Sequence, residues 1–279
     1  MDLEQKNQRL SDILKGLGRV VVAYSGGVDS AFLLKSAVET LGAANVLACI
    51  NAGDSEPSDQ LARATALAAE IGVELRTVET HELGDSNFVA NRADRCFHCK
   101  SHLCEVLLEI ARTGGYGHVV FGTNHDDLDD FRPGNRALAN FGVRSPLAEA
   151  ELTKDDIRAL SRRFGLPTAD MPSSPCLASR ISYGLEVTAE RLKQVDEAEG
   201  FLRDLGFVEF RVRHHDRVAR IEVAPVDIAK VAAEPLRSRV VEKLKSLGFR
   251  FVAVDLQGFR SGSLNESLSD EQKRLGVEK

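Results

Sequence analysis

The hexapeptide Ser25–Ser30 (Ser-Gly-Gly-Val-Asp-Ser) has the residue types and the position of a phosphate-binding loop. It follows directly on the apolar run Arg19–Tyr24, which predicts a buried strand, and a helix is predicted to open at Asp29. Glycines let the backbone approach an oxyanion closely, and the first amides of a helix point toward it. The Gly-Lys-Ser/Thr of a Walker loop is missing at the required spacing, so the motif indicates a different type of phosphate site.

Polar residues also follow two other predicted strands. Gly122–Asp127 (Gly-Thr-Asn-His-Asp-Asp) ends a strand that begins at His118, and Asn51 follows the strand Asn45–Ile50. Because ligands of parallel sheets bind at the carboxyl ends of the strands, these residues are predicted to share one rim with Ser25–Ser30. Aspartates there would hold Mg²⁺ or orient a nucleotide, and Asn51 would meet its adenosine. An acidic surface loop and an ordinary turn are the alternative interpretations.

Two cysteines three residues apart, Cys96 and Cys99, could hold one metal ion or cluster, since thiolates at this spacing face the same side of a turn. Stable sites use three or four ligands. Cys176 is the third candidate because it lies in a proline-flanked loop, four residues before Arg180. A cationic neighbour favours the reactive thiolate. An incidental surface thiol is the alternative interpretation of Cys176.

The other two cysteines are predicted to pack in the core. Cys49 lies in an apolar strand, and Cys104 lies within the apolar pattern of a predicted helix. His98 is interpreted as a helix-surface residue, with a role as fourth ligand as the alternative. An odd number of cysteines does not predict a disulfide framework, which agrees with a cytoplasmic chain.

Arg211 and Arg213 alternate along a predicted strand, so both guanidinium groups are expected on one face. Two arginines on one face are suited to binding a phosphate group. The solvated face of a half-buried strand is the alternative. Glu199 and Glu222 are further polar groups of the same region.

The first half of the chain alternates apolar strands with helices, which is typical of a parallel sheet covered by helices on both faces. Strands are predicted at 19–24, 45–50, 73–79 and 118–122, and helices at about 30–41, 57–71, 98–112 and 152–165. After several prolines the pattern changes to a small α+β unit, with helices at about 188–205 and 226–247 and strands at 207–214, 217–223 and 249–256. We therefore predict an α/β fold with domains 1–180 and 181–262, and a polar, partly disordered tail at 263–279.

The composition excludes several classes of protein. With 279 residues, 43% hydrophobic and 28% charged, the chain is expected to be soluble and globular with an adequate core. No apolar run approaches the ~20 residues of a membrane span, and the N-terminus lacks the apolar segment of a signal peptide. The net charge of −6 argues against a generic nucleic-acid binder, since polyanions need a cationic face.

Taken together, the motifs resemble the LarE family of ATP-dependent sulfur transferases, which act in nickel-pincer cofactor biosynthesis. Ser25–Ser30 matches the SGGxDS pattern of the PP-loop, which holds the pyrophosphate half of ATP in that superfamily. PP-loops also occur in NAD, asparagine and GMP synthetases and in tRNA thiolases, so this loop alone does not identify the family. The family is indicated by two further segments, PSSPCLASR at 172–180 and DLQGFRSG at 255–262. The resemblance extends through both halves of the chain, because it also includes RCFHCK at 95–100, GTNHDD at 122–127 and RVR at 211–213.

The resemblance implies a reaction in which a carboxylate of a nicotinate-derived pyridinium biscarboxylic acid mononucleotide is adenylated and AMP is then replaced by sulfur. It implies ATP and Mg²⁺, bound by Ala23, Ser25, Gly26, Gly27, Asp29, Ser30, Asn51, Gly122 and Asp126. It places the substrate phosphate on Arg211, Arg213 and Arg260, and catalytic roles on Cys176, Asp29 and Arg180. Homo-oligomers and a sulfur donor protein are the partners that it suggests.

Members of this family differ in their source of sulfur. In one type the loop cysteine gives up its own sulfur and becomes dehydroalanine; in the other, three cysteines hold a [4Fe-4S] cluster that carries an extra sulfide. Because Cys96 and Cys99 accompany Cys176, the chain resembles the cluster type, in which three cysteines leave one iron corner open. The sequence leaves zinc and the sacrificial route open as alternatives.

Three other functions are compatible with the sequence. A tRNA thiolase with a similar cluster would be retained on tRNA at physiological salt. An ammonia-transferring PP-loop ligase would leave the cysteines unexplained. A metal-binding carrier with a regulatory nucleotide site would fail to release pyrophosphate from ATP.

Overall fold

The computed structural model describes residues 1–128, 132–172 and 175–278, with side chains to residue 274. Within them the helices are α1 (Leu3–Leu17), α2 (Val28–Leu41), α3 (Ser58–Ile71), α4 (Ser86–Val89), α5 (Arg95–Gly114), α6 (Pro133–Asn140), α7 (Pro146–Glu149), α8 (Lys154–Arg163), α9 (Ala189–Asp204), α10 (Ile228–Ala232), α11 (Leu236–Ser246) and α12 (Asp270–Glu278). The strands are β1 (Val20–Ala23), β2 (Val46–Asn51), β3 (Glu74–Val78), β4 (His118–Phe121), β5 (Phe210–His215), β6 (Val218–Val223) and β7 (Phe251–Val254). Among these helices none has the length and apolar character needed to cross a membrane.

The chain divides into two compact units, which are Met1–Glu82 with Cys96–Ser174, and Leu83–Arg95 with Pro175–Lys279. The first unit contains a four-stranded parallel sheet in the order β3-β2-β1-β4. Val20 of β1 pairs with Val46 on one side and with His118 on the other. The order of connections therefore reverses between β1 and β4, and their carboxyl ends form the crevice in which ligands of such sheets bind. The predicted α/β fold with a parallel sheet is confirmed.

Helices cover both faces of this sheet. Val20 and Val22 of β1 belong to the core cluster that includes α1, α2 and α8, whereas Val21 belongs to the opposite cluster with α5. This alternation follows from the period of two along a strand. Cys49 and Cys104 are fully buried in the second cluster, so their predicted packing role is confirmed.

One difference from the predicted elements of the first unit is the start of α5. The helix begins at Arg95, about three residues before the predicted start, so that Cys96 lies in the helix together with Cys99. The Arg95 backbone amide donates to the Arg92 carbonyl at 3.0 Å, which continues the chain into the helix from a turn. The helices α1, α6 and α7 were also absent from the predicted elements, whereas the predicted helix at 152–165 is present as α8, where Thr153 and Asp156 form a capping box.

The second unit contains a small sheet in the order β5-β6-β7. β5 is antiparallel to β6, and the tight turn between them contains Asp216 with a φ of 55°. β6 is parallel to β7, and α9 and α11 pack on the sheet around Val212 and Ile221. The predicted helix 226–247 is wrong, because the chain leaves the helical region at Ala233 before Pro235. Proline has no amide hydrogen and disfavours a helical residue before it.

Two segments join the second unit in ways that the sequence did not predict. Asn91 is fully buried, and its side-chain amide donates to the carbonyls of Ile181, Ser182 and Leu185 at 3.2, 2.9 and 2.9 Å. These bonds attach residues 83–95 to the unit that otherwise begins at Pro175. In its described part, the tail that was predicted to be partly disordered contains a 3-10 turn at Ser263–Ser267 and the helix α12.

Candidate functional site

The loop between β1 and α2 has the geometry of an anion cradle. β1 ends at Ala23, and Gly26 adopts a φ of 72°, which favours glycine. A Cβ at Gly26 would also lie 2.7 Å from the Cβ of Ala64, so the loop packs directly on α3. Gly27 is the N-cap of α2, and among the described residues no side chain caps this end. The first amides of α2 can therefore donate to an anion.

The two serines of the loop have different roles. The Ser25 amide donates to Ser30 Oγ at 3.1 Å, and the Ser30 hydroxyl donates to the Gly27 carbonyl at 3.2 Å. The two hydroxyl oxygens lie 2.9 Å apart. Ser30 is buried whereas Ser25 is exposed. Ser30 therefore shapes the loop, and the Ser25 hydroxyl is the one that can reach a ligand.

Asp29, in the first turn of α2, is held by residues from two other segments. Its carboxylate forms an ion pair with the Lys154 ammonium group and accepts from the Asn124 side-chain amide at 3.5 Å. The Lys154 backbone amide donates to Asp126 Oδ2 at 2.8 Å. Lys154 therefore joins the loop after β4 to the start of α2. The sequence showed Lys154 only as part of a helix, and its role was missed.

The loop after β4 approaches α2 closely. A Cβ at Gly122 would lie 3.0 Å from the Ser30 amide nitrogen, so a side chain there would crowd the cradle. In this loop Asp126 is exposed, whereas Asp127 is buried and accepts from the Asn124 amide at 3.2 Å. Burial raises the pKa of Asp127, and the Arg132 guanidinium at 2.9 Å opposes that effect. Asp127 therefore shapes the loop, and Asp126 is the carboxylate that faces solvent.

The charges at this rim fit Mg²⁺ bound together with phosphates. In the described part of the chain, no three His, Cys, Asp or Glu side chains are arranged to hold a metal ion by themselves. Mg²⁺ is usually bound by one or two carboxylates, by water and by the phosphates of the substrate. Asp29 and Asp126 supply carboxylate oxygens of this kind, and Lys154 contacts both residues.

The carboxyl end of β2 carries a second polar network, built around Glu82. Asn51 donates from its side-chain amide to Glu82 Oε1 at 3.1 Å, and its Oδ1 accepts from the Gly53 amide at 3.2 Å. The Thr80 hydroxyl donates to the same Glu82 oxygen at 2.6 Å. Asn51 therefore orders the loop at its strand end. Glu82 was missed in the sequence, where nothing in its local pattern distinguishes it from a surface glutamate.

Cys96 and Cys99 are half-buried cysteines without a disulfide near the start of α5. Their spacing places them on neighbouring positions of one helix face. The Cys99 thiol donates to Glu82 Oε1 at 3.6 Å. His98 packs its ring edge-on against Phe97 at 5.4 Å between centroids.

In the second unit, Arg180 fixes the loop that carries Cys176. The Arg180 guanidinium is buried and forms two hydrogen bonds with Glu199, at 2.9 and 2.8 Å. Its remaining nitrogen donates to the carbonyls of Pro175 and Cys176 and to Ser179 Oγ. These contacts hold the backbone of the half-buried Cys176, while a catalytic role of Arg180 stays a prediction. Ser173 and Ser174 of the same motif lie outside the described residues.

Arg211 and Arg213 lie two positions apart on β5, and both are buried. Arg213 donates twice to Glu222 Oε2, at 3.0 and 2.8 Å, and also to Ser263 Oγ at 2.8 Å. It donates as well to the Ser179 carbonyl at 3.0 Å. The Arg213 guanidinium is therefore engaged by a buried carboxylate.

Arg211 stacks its guanidinium over the Phe259 ring, 4.9 Å from the centroid. Burial lowers the pKa of Arg211 to about 10, and the positive charge of Arg180 acts in the same direction. Arg260, the third predicted phosphate ligand, contacts Gln257 and donates to Glu266 at 3.2 Å. Arg260 is part of a loop network near the surface.

The uncapped start of α2, at the switch point of a parallel sheet, defines a PP-loop nucleotide-binding domain. A family model described as NAD synthase matches residues 6–125. The chain is 37% identical over 270 residues to the pyridinium-3,5-bisthiocarboxylic acid mononucleotide synthase of Lactiplantibacillus plantarum. The matched residues make up 97% of each chain. The protein belongs to the family of this synthase, as the motifs indicated.

Two further relatives differ in how much of the chain they match. An uncharacterised protein of Synechocystis sp. is 40% identical over 267 residues, which is 96% of this chain and 99% of that one. The NH₃-dependent NAD⁺ synthetase of Chlorobaculum tepidum is 34% identical over 163 residues, which is 57% of this chain and 58% of that one. The similarity to the ammonia-using enzyme is therefore partial, whereas that to the synthase family extends over almost the whole chain.

Proposed function

We propose that this protein is an ATP-dependent sulfur transferase that converts carboxylates of pyridinium-3,5-biscarboxylic acid mononucleotide into thiocarboxylates. The observation that carries the proposal is the similarity over 97% of the chain to a synthase named for the bisthiocarboxylic product. The uncapped start of α2 and the Lys154–Asp29 pair support it, because they supply the donors and charges that an ATP phosphate chain needs.

In the first step, an oxygen of the substrate carboxylate attacks the α-phosphorus of ATP. A bond forms between that oxygen and phosphorus, and the bond from phosphorus to the bridging oxygen of pyrophosphate breaks. The amides at the start of α2 stabilise the departing pyrophosphate, and the Ser25 hydroxyl adds a further donor. Asp29 and Asp126 would hold Mg²⁺, which would neutralise charge on the phosphates.

In the second step, sulfur replaces AMP on the activated carboxylate. We assign the sulfur source to Cys96, Cys99 and Cys176, which are half-buried and form no disulfide. Three thiols match the donor set of a [4Fe-4S] cluster with one open iron. Cys96 and Cys99 belong to one compact unit of the chain and Cys176 belongs to the other. Such a cluster would supply a sulfide that is replaced after each transfer. A zinc site and a sacrificial Cys176 are the alternatives that metal analysis separates.

The substrate phosphate is assigned to the arginine cluster of the second unit, defined as Arg180, Arg211, Arg213, Glu199 and Glu222. The three arginines and two glutamates of this cluster are all buried. One positive charge is therefore in excess, and a buried anion would compensate it. Arg211 is the group we assign to the phosphate, because its guanidinium is buried beside Arg180 and Arg213 and lies over the Phe259 ring. Arg260 contributes from the adjacent loop.

The proposal includes a homo-oligomer, a sulfur donor protein and a cytoplasmic location, where reduced thiols persist. Neither a nucleic acid nor a membrane takes part in the proposed reaction. A tRNA thiolase and an ammonia-dependent ligase remain the alternative enzymes, and a metal carrier remains the alternative from another class.

The test is a reaction of protein purified without oxygen with ATP, Mg²⁺ and the biscarboxylic mononucleotide. Mass spectrometry should show exchange of oxygen for sulfur, with AMP and pyrophosphate formed in equal amounts. Matched reactions without ATP, or with ammonium chloride, serve as controls. Amide formation would instead support the ligase, and the absence of pyrophosphate would support the carrier.

A further inference from the structure

Glu82 is a buried carboxylate in the segment after β3, and 2% of the residue is exposed. Its Oε1 accepts hydrogen bonds from three neutral groups, namely the Thr80 hydroxyl at 2.6 Å, the Asn51 amide at 3.1 Å and the Cys99 thiol at 3.6 Å. Burial of a carboxylate is costly unless hydrogen bonds satisfy it. These three donors therefore have to hold their positions around Glu82.

One side of this network forms the rim at the end of β2. Asn51 Oδ1 accepts from the backbone amides of Gly53 and Thr80, at 3.2 and 3.3 Å. The loop also packs directly on the carboxylate, since a Cβ at Gly53 would lie only 2.8 Å from Glu82 Oε2. The shape of the rim that faces the nucleotide therefore depends on the position of Glu82.

The other side of the network is α5, where Cys99 is a donor to the same oxygen atom as Asn51. A shift of the Asn51 loop has to be transmitted to the Cys99 thiol, because one carboxylate oxygen contacts both residues. Cys96 lies on the neighbouring position of α5, so its reactivity can be compared with that of Cys99 in the same protein.

We propose that Glu82 is a positioning residue that couples the nucleotide rim at Asn51 to the sulfur-bearing Cys99. Occupation of the rim by ATP orders the Asn51–Gly53 loop, and Glu82 transmits this order to the Cys99 side chain. The sulfur site is thereby held in its working position only when the nucleotide is bound. The inference rests on one part of the proposed function, namely that the nucleotide binds at the carboxyl end of β2.

The test measures coupling in the full-length chain, with thiols reduced, iron and zinc removed by a chelator, and the chelator then replaced by excess Mg²⁺. Iodoacetamide modification of Cys99 and Cys96 is followed by mass spectrometry, with and without saturating α,β-methylene-ATP. In the wild type the nucleotide should change the Cys99 rate at least about fivefold, the lower range of allosteric coupling, and leave Cys96 unchanged. In Glu82→Ala the nucleotide should no longer affect Cys99, and nucleotide affinity should fall about tenfold.

Two variants separate positioning from other effects. Glu82→Gln keeps a carbonyl acceptor for Thr80 and Asn51, so it should restore both the affinity and the nucleotide effect on Cys99. Glu79→Ala removes an exposed glutamate nearby and should behave as the wild type. A variant that is merely unfolded would raise the rates of Cys96 and Cys99 together.

The outcomes against the proposal are distinct. If the wild type binds the nucleotide and its Cys99 rate does not respond, the coupling is overturned while the nucleotide site stands. If Glu82→Gln is as defective as Glu82→Ala, the charge matters and the positioning role is overturned. A wild type that binds no nucleotide overturns the nucleotide site itself and the coupling with it.

Discussion

Lys154 forms an ion pair with Asp29 at the start of α2, although 125 positions separate the two residues in the chain. The pair places a cation and a carboxylate beside the uncapped amides of the helix, and the Lys154 backbone also donates to Asp126. A phosphate chain with Mg²⁺ needs both signs of charge at one point. This arrangement is the basis of the first two predictions.

We expect Asp29→Ala to abolish release of pyrophosphate from ATP, with a loss of at least about 100-fold, as for other removed electrostatic groups. The side chain is only partly buried, so stability should change by less than about 1 kcal/mol. A coupled phosphate assay and urea unfolding measure the two quantities. Asp155→Ala, at an exposed aspartate next to Lys154, is the control that should remain active. Normal pyrophosphate release by Asp29→Ala would exclude this site.

Lys154→Met should weaken binding of α,β-methylene-ATP by about 10- to 100-fold, which is the value of one charge-assisted hydrogen bond. Isothermal titration calorimetry measures the affinity. Lys6→Met is a matched control, because Lys6 pairs with Asp156 at 2.6 Å outside the cradle and its loss should leave binding unchanged. Equal affinities of Lys154→Met and the wild type would show that Lys154 only supports Asp29.

Arg211→Met should weaken binding of the mononucleotide substrate at least about tenfold and leave ATP binding unchanged, because one charge-assisted contact is lost. Arg213 is unsuitable for this test, since its removal would take from the buried Glu222 carboxylate one of its two arginine partners, the other being Arg220, and would lower stability. Arg250→Met, at an exposed arginine of the same unit, is the control. A parallel loss of ATP affinity in Arg211→Met would place Arg211 at the nucleotide instead.

His214 should make the protein less stable in mild acid. The residue is buried, and burial lowers its pKa from 6.5 to about 4. The unfolded chain therefore binds a proton near pH 6.5 that the folded chain excludes until about pH 4, so stability falls as pH decreases through this window. Between pH 7.5 and 5 the loss should be about 2 kcal/mol.

Urea unfolding at the two pH values measures this loss. In the wild type, the His214 ring donates to the Gln194 side-chain oxygen at 2.8 Å. His214→Gln keeps a donor for this oxygen and removes the titrating ring, so it should reduce the pH dependence of stability. His118→Gln, on β4 of the first unit, should keep it. An unchanged slope in His214→Gln would assign the acid sensitivity to other groups.

The three cysteines should act together in protein purified without oxygen. We expect brown protein with about four irons per chain, and loss of the colour on replacing any one of Cys96, Cys99 and Cys176 by Ala. Cys49→Ala, at a buried core thiol, should keep the colour. Visible absorption and metal analysis measure both. Stoichiometric zinc without iron would indicate a structural thiolate site. If Cys176→Ala alone stops transfer and Cys176 loses the mass of H₂S, the route is sacrificial.

The sequence by itself determined the elements whose causes are local. Glycine at position 26, between an apolar strand and an apolar helix, predicts the cradle because the left-handed turn requires it. The alternation of strands and helices likewise predicts the parallel sheet. The break at Pro235 was also present in the sequence, where the apolar pattern on both sides concealed it.

Only the tertiary structure decided which distant side chains meet. Glu82 and Lys154 look like surface residues in sequence, because their partners Cys99 and Asp29 come from other elements. The segment around Asn91 joins the second unit through side-chain bonds to carbonyls about 90 residues away. Hydrogen bonds and ion pairs of this kind depend on packing, which local propensity and periodicity do not encode.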